Sequence, residues 1–94
     1  MNIYYIELFD YYGDLFTDKQ QNYFKDYYFD NLTLQEIADN NNVSRNAVHK
    51  NIKDIISKLD DYESKLNLYK NKKSIESIIS NLDSDIKERI REFI

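Results

Sequence analysis

Apolar residues recur along this chain at the three- and four-residue intervals of α-helices, and they predict five helical segments. The first runs from Ile3 to Phe16 and is strongly aromatic on one face. The second runs from Asp18 to about Phe29, and a short third runs from Leu34 to about Asn40. The chain is therefore expected to be helical from close to its start.

Polar residues mark where these helices should begin. Thr17 with Gln20 and Thr33 with Glu36 have the spacing of a capping box, in which each side chain bonds the backbone amide of the other residue. Ser44 is placed to cap the fourth segment in the same position. The second, third and fourth segments thus have their start signals in the sequence.

The fourth segment carries an uninterrupted heptad pattern and is predicted to run from Arg45 to about Lys70. A helix of that length measures about 39 Å, which is too long for one small domain to cover. Its distal half is expected to pack elsewhere, and we predict dimerisation contacts at Leu59, Tyr62, Leu66 and Tyr69. The full pattern consists of Val48, Ile52, Ile55, Leu59, Tyr62, Leu66 and Tyr69.

A last helix is predicted after Ser74, which would be its N-cap. It could fold back on the long helix or pair across a dimer. Its apolar face comprises Ile75, Ile78, Ile79, Leu82, Ile86, Ile90 and Phe93. Together the segments predict an all-α fold, with a DNA-binding part at residues 1–58 and a helical extension for dimerisation at residues 59–94, in one compact unit.

The segment from Thr33 to Lys53 has the layout of a helix-turn-helix. Ala38 is small where the second helix must cross closely, and Asn42 stands four residues later, where the turn needs a residue that tolerates positive φ. Val43 follows as a core plug, and Val48 is the next core position. An ordinary helical hairpin with the same periodicity is the alternative.

If the motif is real, its second helix turns five hydrogen-bond donors away from the core. Arg45 could bind guanine or phosphate, Asn46 adenine, and the two lysines mainly phosphates. The histidine could take either role, or it could be a solvated surface residue, as the lysines could be. The predicted DNA contacts are Arg45, Asn46, His49, Lys50 and Lys53.

Composition narrows the chemistry further. The chain has no cysteine, no proline, one glycine and one histidine, so thiol catalysis, a thiolate or histidine-based metal site and a glycine-rich phosphate loop are all disfavoured. We predict no catalytic residue, no metal and no cofactor. A signal peptide and a long apolar run are also missing, which predicts no membrane insertion and a cytoplasmic protein.

Charge is distributed unevenly. Residues 1–30 hold 2 basic and 6 acidic groups, residues 31–58 hold 4 and 3, and residues 59–94 hold 7 and 8. Only the segment predicted to read DNA is positive, while the chain as a whole has a net charge of −4. One copy should therefore bind DNA weakly and in a salt-sensitive way, and a dimer would gain through effective concentration.

Two other groups of residues admit a functional and a structural interpretation. Asp60, Asp61 and Glu63 could suggest a metal site, but adjacent acids on a helix point in different directions, which favours a solvated face. The aromatic residues could stack on single-stranded bases, but their helical spacing favours core packing. These are Tyr4, Tyr5, Tyr12, Tyr23, Phe24, Tyr27 and Tyr28.

The stretches FTDKQQNYFKDYYFDN, LTLQEIADNNNVSRNAVHKNIK and LDDYESKLNLY resemble, in this order, the YlxM family of small bacterial helix-turn-helix proteins. The family's motif in turn resembles the DNA-binding region 4 of sigma factors, although Asn42 replaces the usual turn glycine and Asn51 stands where an apolar residue is common. Family members are typically encoded beside the signal recognition particle GTPases. The resemblance thus implies a DNA-binding regulator connected with protein export.

The sequence alone therefore predicts a protein that binds double-stranded DNA as a homodimer and regulates the signal recognition particle pathway or takes part in it. The alternative is a protein-interaction module that docks on signal recognition particle components or on RNA polymerase without specific DNA binding. The acidic balance of the chain favours that alternative.

Overall fold

The computed structural model describes residues 3–80, 82 and 84–93. That part of the chain forms six α-helices and a 3₁₀ turn, Gly13–Leu15, and contains no strand, which confirms the all-α fold. The helices are α1 (Ile3–Tyr12), α2 (Asp18–Tyr28), α3 (Leu34–Asn41), α4 (Arg45–Leu66), α5 (Leu68–Ile79) and α6 (Ser84–Arg91).

The three predicted helix starts are confirmed by their hydrogen bonds. Thr17 Oγ1 accepts from the Gln20 amide at 3.2 Å, and Thr33 Oγ1 accepts from the Glu36 amide at 3.1 Å, each as half of a complete capping box. Ser44 Oγ accepts from the Ala47 amide at 3.0 Å. Each cap satisfies an amide that has no partner inside its own helix, so the sequence fixes these boundaries locally.

The core lies where α1, α2 and α3 pack against the first two thirds of α4. Burial of a large apolar side chain stabilises the fold by about 1.5–3 kcal/mol, so this cluster is the main source of stability. The buried members are Leu8, Phe9, Tyr12, Phe16, Tyr23, Phe24, Ile37, Ala38, Val48, Ile52, Ile55 and Leu59.

The first helix is shorter than predicted. It ends at Tyr12 instead of Phe16, because the chain tightens into the 3₁₀ turn at Gly13. A Cβ at Gly13 would lie 3.1 Å from the ring of Phe9, so a larger residue here would require that ring to shift by a few tenths of an ångström. The turn brings Phe16 back into the core, where the side chain is 6% exposed.

The prediction of one unbroken helix from Arg45 to Lys70 is wrong. α4 ends at Leu66, and Asn67 adopts a left-handed conformation with φ of 55° before α5 begins at Leu68. Ser74 is consequently inside α5 and caps nothing, and the predicted last helix is two helices, α5 and α6. The heptad spacing continues across the break, so periodicity could not reveal it.

A buried carboxylate holds the break in place. Glu63 Oε1 accepts a hydrogen bond from Tyr12 Oη at 2.6 Å and from the Tyr69 amide at 3.1 Å, while its Oε2 accepts from the Lys70 amide at 3.1 Å. Tyr12 Oη in turn accepts from the Leu68 amide at 3.1 Å. Three first-turn amides of α5 are therefore capped by side chains of α1 and α4.

The sequence interpretation of Glu63 as part of a solvated acidic face is therefore wrong. The residue is 8% exposed, whereas its neighbours Asp60 and Asp61 are exposed, as predicted. A buried carboxylate is tolerated here because both of its oxygens receive hydrogen bonds.

The four predicted dimerisation residues do not form one free stripe, because Asn67 separates Tyr69 from the other three, and most of them are occupied within the chain. Leu59 is completely covered by the chain's own core, and Tyr62 packs against the rings of Tyr12 and Phe16, at 5.9 and 5.8 Å between centroids. Tyr69 lies on α5, edge-on to Tyr4. Only Leu66, 50% exposed, offers a large apolar surface to a second copy. Self-association itself stays a prediction.

Replacement of Glu63 should reveal how much this buried carboxylate contributes to the stability of the fold. Glu63→Gln keeps the size of the side chain but turns one acceptor into a donor that faces an amide or a hydroxyl proton. We expect a loss of about 1–3 kcal/mol in the free energy of unfolding, measured by urea denaturation. The control is Asp61→Asn, which removes the same charge from an exposed pair with Lys65 and should cost less than about 1 kcal/mol. Equal losses in the two variants would contradict the role of Glu63.

The ionisation of Tyr12 should also make the free energy of unfolding depend on pH in the alkaline range. Burial, together with the hydrogen bond donated to Glu63, raises the pKa of Tyr12 from 10.0 to about 12. The unfolded chain therefore releases this proton first, so the stabilisation is complete below pH 10 and disappears as the pH rises through about 12. The stability difference between the wild type and Tyr12→Phe, from urea denaturation at a series of pH values, should shrink over this interval. A difference that stays constant would refute the assignment.

Candidate nucleic-acid interface

The helix-turn-helix is formed by α3, a three-residue turn and α4. Ala38 is fully buried where α4 crosses α3, and Asn42 has φ of 55°, as the turn requires. The amide of Val43 bonds the carbonyl of Ala38 at 3.1 Å, closing a turn in which Asn takes the position usual for glycine. Val48 is fully buried, and Val43 is half-buried against the core. The predicted core and turn positions are thus confirmed.

The five predicted contact residues lie on the solvent side of the first two and a half turns of α4, and all are exposed. Arg45, His49 and Lys53 follow one another at intervals of four residues and form one row along the helix. Asn46 and Lys50 form a second row beside it. The structure therefore brings the five side chains together on a single face, opposite the buried face of Val48 and Ile52.

This face has the size and the free donors that duplex DNA requires. Lys53 lies eight positions after Arg45, a rise of about 12 Å, which is comparable to the width of the major groove. In the described part of the chain, none of the five side chains takes part in an intramolecular hydrogen bond or ion pair. Their donors are available to an external acceptor.

The charge on the exposed side of α4 changes sign along its length. From Arg45 to Lys53 the helix carries no acidic residue, whereas the next eight positions hold three aspartates, Asp54, Asp60 and Asp61, and one lysine, Lys58. Asp60 accepts a hydrogen bond from Tyr5 at 3.1 Å, so it is held at the surface of the bundle. A phosphate backbone would be attracted to the start of α4 and repelled from its middle, which limits the contact to the first three turns.

The burial of Asn51 and Ile52 shows which side of α4 faces the core. Ile52 is buried at 6% exposure, which confirms that it takes the apolar role. Asn51 is half-buried, and its side-chain amide donates to the carbonyl of Ala47 at 2.9 Å, within the same helix. Because this amide is engaged by its own backbone, Asn51 is not part of the exposed contact face.

The sequence interpretation missed a surface groove of about 600 Å³ beside Arg45. Tyr27 and Tyr28 of α2 form one wall, and Asn31 and Thr33, which precede α3, form part of the other. The aromatic spacing predicted all of α2's rings in the core, but Tyr27 is 37% exposed and meets Tyr28 edge to face. Periodicity of α2 alone gave no signal that Arg45, from a different helix, would lie next to it.

The described residues contain neither a metal-binding cluster nor a helix that could span a membrane. Across residues 3–80, 82 and 84–93, no three histidine, cysteine or acidic residues are grouped so that they could hold a metal ion. Over the same residues, no helix combines the length and apolar character needed to cross a bilayer.

Comparison with known proteins agrees with this geometry. A family model described as "Putative helix-turn-helix protein, YlxM / p13 like" matches residues 1–93. The match thus includes both helices of the motif and the helices that follow it.

Three bacterial relatives, each called a UPF0122 protein, are similar over most of the chain. The one from Fusobacterium nucleatum is 42% identical over 88 residues, which are 93% of this chain and 85% of the relative. The one from Shouchella clausii is 45% identical over 75 residues, or 80% and 69% of the two chains. The one from Malacoplasma penetrans is 54% identical over 59 residues, 63% of this chain but only 55% of the relative.

The turn between α3 and α4 can be tested at Asn42. Alanine has no side-chain group that compensates for a left-handed backbone, so Asn42→Ala should destabilise the fold by about 1 kcal/mol. Asn42→Gly relieves the steric conflict and should change stability by less than about 0.5 kcal/mol. Thermal unfolding followed by circular dichroism measures both. The role assigned to the left-handed turn fails if the alanine variant is as stable as the glycine variant.

Proposed function

Because this chain belongs to the YlxM / p13-like family of helix-turn-helix proteins, we propose that it binds double-stranded DNA and acts as a regulator, without catalysis of its own. In this proposal the start of α4 enters the major groove. Arg45, Asn46 and His49 reach base edges, and Lys50 and Lys53 hold phosphates.

The observation that carries the proposal is the free donor face of α4. The donors of this face are available to an external partner, whereas the ammonium of Lys65, further along the same helix, is paired with Asp61 at 2.9 Å. The five residues at the start of α4 have no such partner in the described structure, and the motif presents them together. The groove beside Arg45 gives a flanking backbone strand room to pass.

The net charge of −4 sets the expected strength of binding. Long-range attraction to a polyanion is weak for an acidic protein, so affinity must come from short-range contacts and fall steeply with salt. We propose that two copies act together, with residues 1–58 binding DNA and residues 59–94 joining the copies. The second recognition helix then binds at a high effective concentration.

We further propose that the regulated process is protein export through the signal recognition particle, as the family resemblance implies. The acidic surface outside α4 favours a second candidate, in which the chain docks on a protein of that pathway or on RNA polymerase. The two candidates differ in one measurable property, which is preference for a DNA sequence.

Fluorescence anisotropy can measure that preference. The probes are the duplex from upstream of the protein's own gene and a scrambled duplex of the same composition, at salt concentrations from about 50 to 200 mM. We expect a preference of at least about 100-fold for the first duplex. The double variant Arg45→Ala/Lys50→Ala should lose at least about tenfold in affinity because a good base contact alone contributes that much, and its salt dependence should be shallower.

The matched control is Lys58→Ala/Lys65→Ala, which removes the same charge from α4 outside the contact face. It should bind nearly as well as the wild type, and both variants should keep the wild-type melting temperature because the four side chains are exposed. Equal and weak binding of the wild type to both duplexes would overturn DNA recognition and favour the protein-docking candidate.

A further inference from the structure

The arm formed by α5, α6 and the residues up to Phe93 leaves much apolar surface uncovered. Ile78 is 76% exposed, Leu82 39%, Ile86 48% and Phe93 87%. Within α6 and its last turn, Ile86, Ile90 and Phe93 follow at intervals of four and three residues and so lie on one face. No residue of α6 is buried. Among the described residues the arm covers its own apolar side chains only in part, since Ile79 is buried and Ile90 half-buried while Ile86 and Phe93 stay exposed.

The dimensions and the surface area of the molecule also indicate that part of its surface is uncovered. The radius of gyration is 16.7 Å, whereas a compact domain of this length has about 12 Å. The accessible surface is 6534 Å², about 750 Å² more than is usual for a folded chain of this mass. A standard interface buries about 800 Å² on each partner. The surplus is therefore the area that one stable interface would cover.

The charges beside this face favour a second copy over a lipid surface. Between Ser84 and Phe93 the chain has three acidic and three basic residues, so the stretch has no net charge. A helix that lies on an anionic membrane usually has an excess of lysine and arginine on its polar side. Balanced charges allow two identical helices to approach without repulsion, and a pair related by a two-fold axis uses the same patch twice.

We infer that two copies of this chain associate through the apolar face of α6, with Ile86, Ile90 and Phe93 at the centre of the contact and Ile78 and Leu82 beside it. This inference names the surface for the pair introduced under the proposed function. It differs from the stripe expected from the heptad pattern, because Leu59, Tyr62 and Tyr69 are occupied within the chain. Pairing is measured without DNA, so its failure and a failure of DNA recognition are distinguishable.

The test is the mass of the full chain by light scattering or sedimentation at micromolar concentration. The wild type should have twice the single-chain mass of 11.4 kDa. Ile86→Glu and Phe93→Glu, made separately, place a charge in the interface of both copies and should each raise the dissociation constant about 100-fold. A wild type with the mass of one chain overturns the inference.

The matched control is Leu15→Glu, which charges an equally exposed apolar residue, 56% exposed, outside the arm. It should remain paired like the wild type. If Leu15→Glu separates the copies as strongly as Ile86→Glu, or if neither arm variant separates them, the contact lies elsewhere and the assignment to α6 is wrong.

Disulfide trapping gives a second measurement that does not depend on a charged substitution. The chain contains no cysteine, so a single introduced thiol can pair only with its copy. Near a two-fold axis a residue meets its own counterpart, and Ile86→Cys should therefore form a covalent dimer under mild oxidation, whereas Leu15→Cys should not. Trapping at Leu15 but not at Ile86 would contradict the proposed surface.

Discussion

The hydrogen bonds around the Glu63 carboxylate determine how the two parts of this chain meet. They join Tyr12 of α1 to Glu63 of α4 across 51 positions of sequence, and they join Glu63 to the first turn of α5, at a carboxylate that is 8% exposed. Without them, the first amides of α5 would be buried or half-buried with no acceptor, and the hydroxyl of Tyr12 would lose its partner. The start of the arm is therefore held against the rest of the chain by one carboxylate that accepts hydrogen bonds from α1 and α5, together with the edge-on contact between the rings of Tyr4 and Tyr69.

Features that depend on residues close together in the sequence could be predicted, whereas features that depend on contacts between distant residues could not. Capping boxes at Thr17 and Thr33, the cap at Ser44 and the apolar face of α4 are local in sequence, and all could be predicted from it. The end of α4 could not, because its heptad spacing continues to Tyr69, while the break is held by the Glu63 carboxylate, which is buried against Tyr12, 51 residues away. The same limit applies to the site. The exposed face of α4 follows from its period, but the groove that Tyr27 forms beside Arg45 arises only when separate helices pack together.

The helix that carries the candidate site, α4, has different roles on its buried and exposed sides, and its exposed side changes in charge from the first turns to the later ones. One side of α4 supplies Val48, Ile52, Ile55 and Leu59 to the core, so the helix cannot move without disturbing the whole bundle. Its other side begins with basic and amide donors and continues with aspartates. A rigid helix whose first turns carry only basic charges, whereas the rest of it has four acidic and two basic residues, is suited to hold donors at a fixed angle and to confine DNA to those first turns.

Left-handed asparagines follow three consecutive helices, each with φ of 55°. Asn42 and Asn67 are the C-caps of α3 and α4, and Asn31 lies three residues after the end of α2. In a chain with a single glycine and no proline, these residues set every reversal between α2 and α5. Asparagine keeps its Cβ, so the unfolded chain samples fewer backbone conformations at these points than it would with glycine. Each of these turns therefore carries some backbone strain in the folded protein. Less conformational entropy is lost when the turn forms, however, so the two effects act in opposite directions on the free energy of unfolding.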